Sequence, residues 1–465
     1  LGALIALIGL FMALLVYQYD LIKHAFLLLV GVLFFSVEVS SPGGFALSLP
    51  AEPLVLLLAL CALGVGFHNK RALLMHLREP ILVMVALLVC VWLVTAATST
   101  MPLVSVKYVF INLVYIVLGL ILFPLLLHNK TLTIPQIIRW AAIPLFFFAA
   151  FGVYNLLPYR FNPGAAPLIG YPFFKDHTIY SATLSLFVPP LLLWPFFSAR
   201  LLKWEWLFPN VGVAVMFALF ISSSRAAWLA LLIVVIFYVL VRFGATLKHI
   251  AFLLLIAGFC SWIFTDHLAQ KIRANPYTST ETTGSLQEQA LSVTNVSSDV
   301  SNRERLNRWL CALRMGAEKP ITGFGPGTYQ FTYFPYQRDD EMTYISVTDP
   351  FNTIIGRGGS AHSEYLLLLA ESGVFGALAW IGLQVFLLIG FFSIWQGPLP
   401  ATEKNMALAL YLSVLTYSVH SLFNNYLNTV QFGVSWWMLV GGFLYLKTKS
   451  TTMLNKQRET SIESN

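Results

Sequence analysis

Apolar stretches of membrane-spanning length recur from one end of this chain to the other, at roughly 2–17, 22–39, 51–67, 79–97, 106–128, 138–157, 180–198, 207–224, 226–243, 248–265, 363–394, 405–422 and 430–447. A lipid interior cannot hydrogen-bond loose backbone, so stretches of this length must cross as helices. With 58% hydrophobic and only 11% charged residues, the 465-residue chain has too little polar surface for a water-soluble body of its size. An all-α polytopic membrane protein is the expected class.

Lys and Arg set the expected orientation, because short cytoplasmic loops carry an excess of them. "HNKRALLMHLREP", "LLHNKTLTIPQIIRW", "FFSARLLKWEW" and "RFGATLKH" are basic and fall at every second connection, whereas "SVEVSSPGGFALSLPAEP", "TSTMPLVSV" and "YLNT" are poor in positive charge. Counting from residue 22 gives about 12 transmembrane helices with both ends cytoplasmic. Segment 2–17 lacks a small-residue cleavage site and is read either as an additional span or as an interfacial helix. The net charge of +7 is spread over short loops, which argues against a nucleic-acid surface. Four cysteines, Cys61, Cys90, Cys260 and Cys311, form no CxxC pattern and suggest no disulfide framework.

The apolar pattern fails between about 267 and 361, and the alternation puts this insert outside. The expected organisation is therefore 1–266 N-terminal membrane helices, 267–361 a periplasmic loop, 362–447 C-terminal membrane helices and 448–465 a cytoplasmic tail. Within the loop, "NPYTSTETTGSLQEQALSVTNVSSDVS" has the composition of a mobile segment. Leu306, Trp309, Leu310 and Leu313 then repeat at helix spacing, and Pro320 ends that helix. "GFGPGTYQF" reads as a turn, and after His362 some thirty residues read as a single long helix.

Several charges lie where topology does not call for them. Arg225, in "SSSRAAW", occupies an outer turn that positive-inside bias should clear of arginine, although it can also snorkel to the interface. Arg303, Arg305, Arg308 and Arg314 share one helix; they suit either a solvated face or a di-anionic ligand, since guanidinium forks grip phosphate oxygens in pairs. His362 sits in the joint between loop and helix with Glu364 beside it, as a structural imidazole or as a general base with Glu364 to orient it. Lys107, Lys175, Asp176 and His177 open outer span ends, as interfacial anchors or substrate contacts. Asp339, Asp340 and Glu341 are adjacent carboxylates without a spaced partner, so no metal site is expected. Phosphate-loop, dinucleotide, HExxH and GxSxG motifs are all missing.

"SNRERLNRWLCALRMGAEKPITGFGPGTY", followed by "AHSEYLLLLAESGVFG", resembles the signature region of the O-antigen ligase and polymerase superfamily: an Arg four residues before a Trp, a P-x-x-G-x-G-x-G turn, and H-x-E-x-L leading into E-x-G-x-x-G. "SSSRAAWLAL" is similar to that family's short outer turn. Many members have Asn after the His, where this chain has Ser363. The resemblance implies a C-type glycosyltransferase architecture, no cofactor or metal, and an undecaprenyl-diphosphate-linked glycan as donor. It implies His362 as base, with Arg225 and Arg305 on the diphosphate and Arg303 as a weaker partner. Lys107, Asp176 and Glu364 are carried as further substrate-binding candidates. As an O-antigen ligase the chain is expected to act in the bacterial inner membrane with its site facing the periplasm, lipid A-core being the acceptor and membrane lipid the surroundings. The motifs leave open an O-antigen polymerase or a protein O-oligosaccharyltransferase using the same donor, and the oligomeric state. A lipid or solute transporter fits less well, because the span interiors are nearly free of charge.

Overall fold

A computed structural model describes residues 19–40, 46–198, 202–259, 300–343 and 359–463. Segment 2–17, the Ser/Thr-rich run before residue 300, and the end of stretch 248–265 lie outside the described residues. In chain order the helices are α1 (Tyr19–Val32), α2 (Ala51–His68), α3 (Lys70–Leu77), α4 (Pro80–Ala97), α5 (Pro102–His128), α6 (Ile134–Leu156), α7 (His177–Leu192), α8 (Leu207–Ile221), α9 (Arg225–Arg242), α10 (Leu247–Phe259), α11 (Val300–Glu318), α12 (Glu364–Trp395), α13 (Ala401–His420) and α14 (Val430–Glu463).

Among the described residues eight helices are long and apolar enough to cross a membrane, so the chain is a multi-pass membrane protein. The eight include α2, α4, α5, α9 and α12. Stretch 22–39 forms only the 14-residue α1 before the chain turns extended. There Val37–Ser40 (β1) pairs antiparallel with Ala46–Leu49 (β2), Val37 opposite Leu49, a hairpin that the hydropathy pattern does not announce.

The long helix read from His362 onward is two helical segments across a kink. Gly373 has φ 67° and ψ −169°, so the α12 path breaks there. A Cβ at Gly373 would lie 2.5 Å from the Ile321 carbonyl oxygen, which restricts the position to glycine on two counts.

Alternating helix directions collect the ends Ala97, Pro102, His177, Ile221, Arg225, Glu364, His420 and Val430 on one face of the bundle. Cross-links hold that face together: Thr100 N donates to Phe324 O at 3.0 Å, and Glu364 N donates to Ser421 O at 2.9 Å. Beneath it Trp380, Trp436 and Trp437 are fully buried, with the Trp380 and Trp436 rings 5.5 Å apart. Such large buried rings make a stiff platform under the face.

Candidate functional site

The loop helix α11 lies on this face, packed against α12. Trp309, one of the apolar positions that define it, donates from Nε1 to the backbone oxygen of His362 at 2.9 Å, and its ring rests against Phe423. Arg305 is four residues earlier and so lies on the same side of α11. The Arg-x-x-x-Trp spacing thus has a mechanical meaning: one residue holds the His362 backbone while the other brings a guanidinium to it. Arg305 Nη1 is steadied within its own helix by Ser301 Oγ at 3.0 Å and Asn302 Oδ1 at 3.3 Å.

His362 has φ 49°, a left-handed conformation uncommon for a side-chain-bearing residue. Such strain persists only where surroundings impose it, and it clusters at functional sites. Ser363 then caps α12, its hydroxyl accepting from Leu366 N. His362 is half-buried, and desolvation, followed by the fields of Arg305 and Arg308, lowers its pKa to about 4, against the smaller raising effects of Glu304 and Asp176. At neutral pH the imidazole is therefore uncharged and able to accept a proton.

Three more elements converge here. Asp176 caps α7 by accepting from Thr178 N at 2.7 Å, with His177 Nδ1 3.3 Å from its carboxylate. His177 lies within electrostatic reach of Arg305 and of Arg225, the first residue of α9. Before Arg225, Ser223 has φ 60°, and the Ser223 and Ser224 hydroxyl oxygens are buried with no hydrogen-bond partner among the described residues. Two unused hydroxyls, an arginine and a helix N-terminus make an arrangement suited to an anion.

His420, at the end of α13, is fully buried and feels Arg305 and Asp176. Asn424 Nδ2 lies 3.0 Å from its Nε2, and with the amide donating, the ring proton sits on Nδ1. That Nδ1 has no hydrogen-bond partner among the described residues. His420 is a second imidazole on this face, one that sequence reasoning missed because it ends an apolar helix with no flanking motif.

The remaining candidates go elsewhere. Arg303, two residues from Arg305 and so on another side of α11, is buried and donates to Asp340 O at 3.4 Å. Arg308 forms a buried 2.7 Å ion pair with Glu304 and stacks 3.9 Å over the Tyr333 ring. Arg314 pairs with Glu341, so that acidic cluster is spent partly on the loop's own arginine. Lys107 lines a separate, mostly apolar groove of about 250 Å³ with Glu52, Phe110 and Val114. Glu364 is buried beneath the site and accepts from the Tyr417 hydroxyl at 2.7 Å. Lys175 bridges to Glu38 of β1.

Glu371 is the second carboxylate after His362, further along α12 than Glu364. It is 2% exposed, and its two oxygens accept from Tyr329 N at 2.8 Å and Gly327 N at 2.7 Å. Gly325 N adds a bond to Glu371 O, and Val374 N one to Pro320 O. Gly323, Gly325 and Gly327, all at positive φ, wrap the "GFGPG" turn around the α12 kink, and Glu371 locks it. We predict that Glu371→Ala leaves two buried N–H groups unsatisfied, a loss of roughly 2–6 kcal/mol at about 1–3 per group. Thermal unfolding in detergent should show a sharply lowered transition; an unchanged one would remove Glu371 from this role.

The model of the family described as O-antigen ligase (Wzy_C) matches residues 211–381. This segment takes in most of α8, all of α9, the described part of the loop between α10 and α12 and the start of α12, and with them Arg225, Arg305, His362 and Glu371. No curated protein matches the chain. The arginine turn, loop helix, glycine turn and histidine all lie inside the matched segment, and over it the chain is similar to the O-antigen ligase family.

Proposed function

We propose that this protein transfers O-antigen polysaccharide from undecaprenyl diphosphate to lipid A-core in the periplasmic leaflet of the bacterial inner membrane. The observation that carries the reading is the convergence of Arg225, Arg305 and the neutral His362 on one face, from elements far apart in sequence. These are the groups that such a transfer demands. His362 takes the proton from an acceptor sugar hydroxyl, and the oxygen attacks the anomeric carbon. The bond to the diphosphate breaks, and the departing oxygen takes the electron pair.

Negative charge grows on the diphosphate in that step, and preformed donors aimed at it stabilise the transition state. Arg225 and Arg305 fill this role, with the His420 Nδ1–H and the serine hydroxyls before Arg225 as uncharged donors. Direct attack by the activated hydroxyl inverts the anomeric centre. No metal takes part in the scheme.

The test uses purified protein with lipid-linked polysaccharide and lipid A-core, in EDTA. We expect glycan on lipid A-core only when both substrates are present. Activity lost in EDTA and restored by magnesium or manganese would overturn the arginine mechanism. In cells, deletion should leave polymerised glycan on its carrier and bare lipid A-core; lipid A-core carrying one repeat unit would instead identify a polymerase.

A further inference from the structure

The bundle end opposite His362 holds a cavity of about 300 Å³ between α3, α5 and α14. We propose that it binds the phosphodiester headgroup of an anionic membrane lipid. This inference does not depend on the glycan-transfer reading.

The cavity has a built polar floor. Residues Val117–Leu122 of α5 form a π-helical turn, and within it the Leu120 carbonyl oxygen lies 2.8 Å from His76 Nε2. A π turn frees a carbonyl from the ordinary helical ladder, and such turns recur at functional sites. His76 is 4% exposed, and its other nitrogen lies 3.5 Å from the Thr448 hydroxyl. Burial pushes its pKa down to about 4, so the floor is polar but uncharged.

Positive charge sits around the cavity, on Lys130, Lys449 and Lys456. Lys449 is answered by Glu403 at 2.8 Å. Lys130 and Lys456 have no carboxylate within ion-pair distance among the described residues. Their simplest other explanation is the positive bias of this bundle end, and Lys130 also suits the C-terminus of α5. Neither explains why both line one cavity floored by His76 and Thr448.

The rest of the wall, including Leu125, Tyr445 and Met453, is apolar. A free phosphate gains nothing from that wall, whereas the glycerol and first methylenes of a lipid do. The volume is at the lower limit of small-ligand sites, which fits a headgroup. Basic pockets between membrane helices recognise anionic headgroups, at about 1 kcal/mol per lysine near the surface.

The experiment titrates the purified full chain with phosphatidylglycerol, against phosphatidylcholine, by native mass spectrometry. Lys130→Gln with Lys456→Gln should weaken phosphatidylglycerol binding by roughly thirtyfold, the product of two such lysine contributions. Lys130→Arg with Lys456→Arg should keep it. Lys70→Gln with Arg71→Gln removes equal charge from the same bundle end without touching the cavity, and should leave binding within about twofold of the parent. Equal weakening by both neutral pairs would reduce the effect to diffuse charge and overturn the site. Displacement of the lipid by millimolar inorganic phosphate would overturn the lipid assignment in favour of a phosphate site. Unfolding temperatures of all variants, measured in neutral detergent, separate lost binding from lost folding.

Discussion

Replacing His362 with Ala should cut glycan transfer by roughly two to four orders of magnitude while leaving lipid-diphosphate binding nearly unchanged. The split follows from charge: a neutral imidazole contributes proton affinity to the acceptor side and little attraction to a di-anion. Its pH signature is equally specific. A base must be unprotonated to act, and this one has a pKa lowered to about 4 in the free protein, so kcat/KM should hold down through pH 6.5 and fall only near pH 4. Arg305 is the second cause of that lowering, after desolvation. A seated diphosphate offsets its field, so the acid limb of kcat should lie above that of kcat/KM. Donor binding abolished in His362→Ala would remove His362 from the base role, whereas an acid limb near 6.5 in kcat/KM would show a base titrating as an ordinary imidazole.

How far the site could be read from sequence depends on whether a residue broke a local rule. Arg225 stood out because outer turns of membrane proteins shed arginine, and Arg305 and His362 because motif spacing marks them. Arg303 carried the same charge as Arg305 but not its direction; two residues along a helix is another face, and Arg303 reaches Asp340 instead. Glu371 lies in an otherwise apolar helix, yet it is spent on two backbone N–H groups of a turn more than forty residues earlier in the chain. No periodicity in α12 could reveal that, nor the break at Gly373, since apolar composition on both sides hides a kink. His420 was illegible for a related reason: its meaning comes from Asn424 and from distant Arg305 and Asp176, and only folding brings Arg305 and Asp176 to it. Helices such as α2, α4, α5, α9 and α12 followed from hydropathy because bilayer thickness imposes their length, while stretch 22–39 misled, since apolar residues at its end enter β1 and the hairpin has no comparable length constraint.

Arg225→Lys and Arg305→Lys offer the sharpest test of the diphosphate clamp, because each keeps the charge and removes the planar fork. If paired phosphate oxygens are gripped, an ammonium cannot span them, and neither lysine variant should recover more than a small part of the activity lost in the corresponding alanine variant. The expected loss is about a hundredfold to a thousandfold at each position, an order typical of removing one donor from a developing anion. Because the diphosphate is already charged in the ground state, donor affinity should fall as well, in contrast to His362→Ala. Arg314→Ala serves as the control: its guanidinium is engaged by Glu341 and the Tyr336 carbonyl, so its loss should loosen the outer loop and leave donor affinity nearly intact. Measured on variants matched for membrane expression, full activity in both lysine variants would show that charge alone suffices and that the fork has no part. A donor-binding defect in Arg314→Ala as deep as that in Arg305→Ala would instead move the clamp away from Arg305.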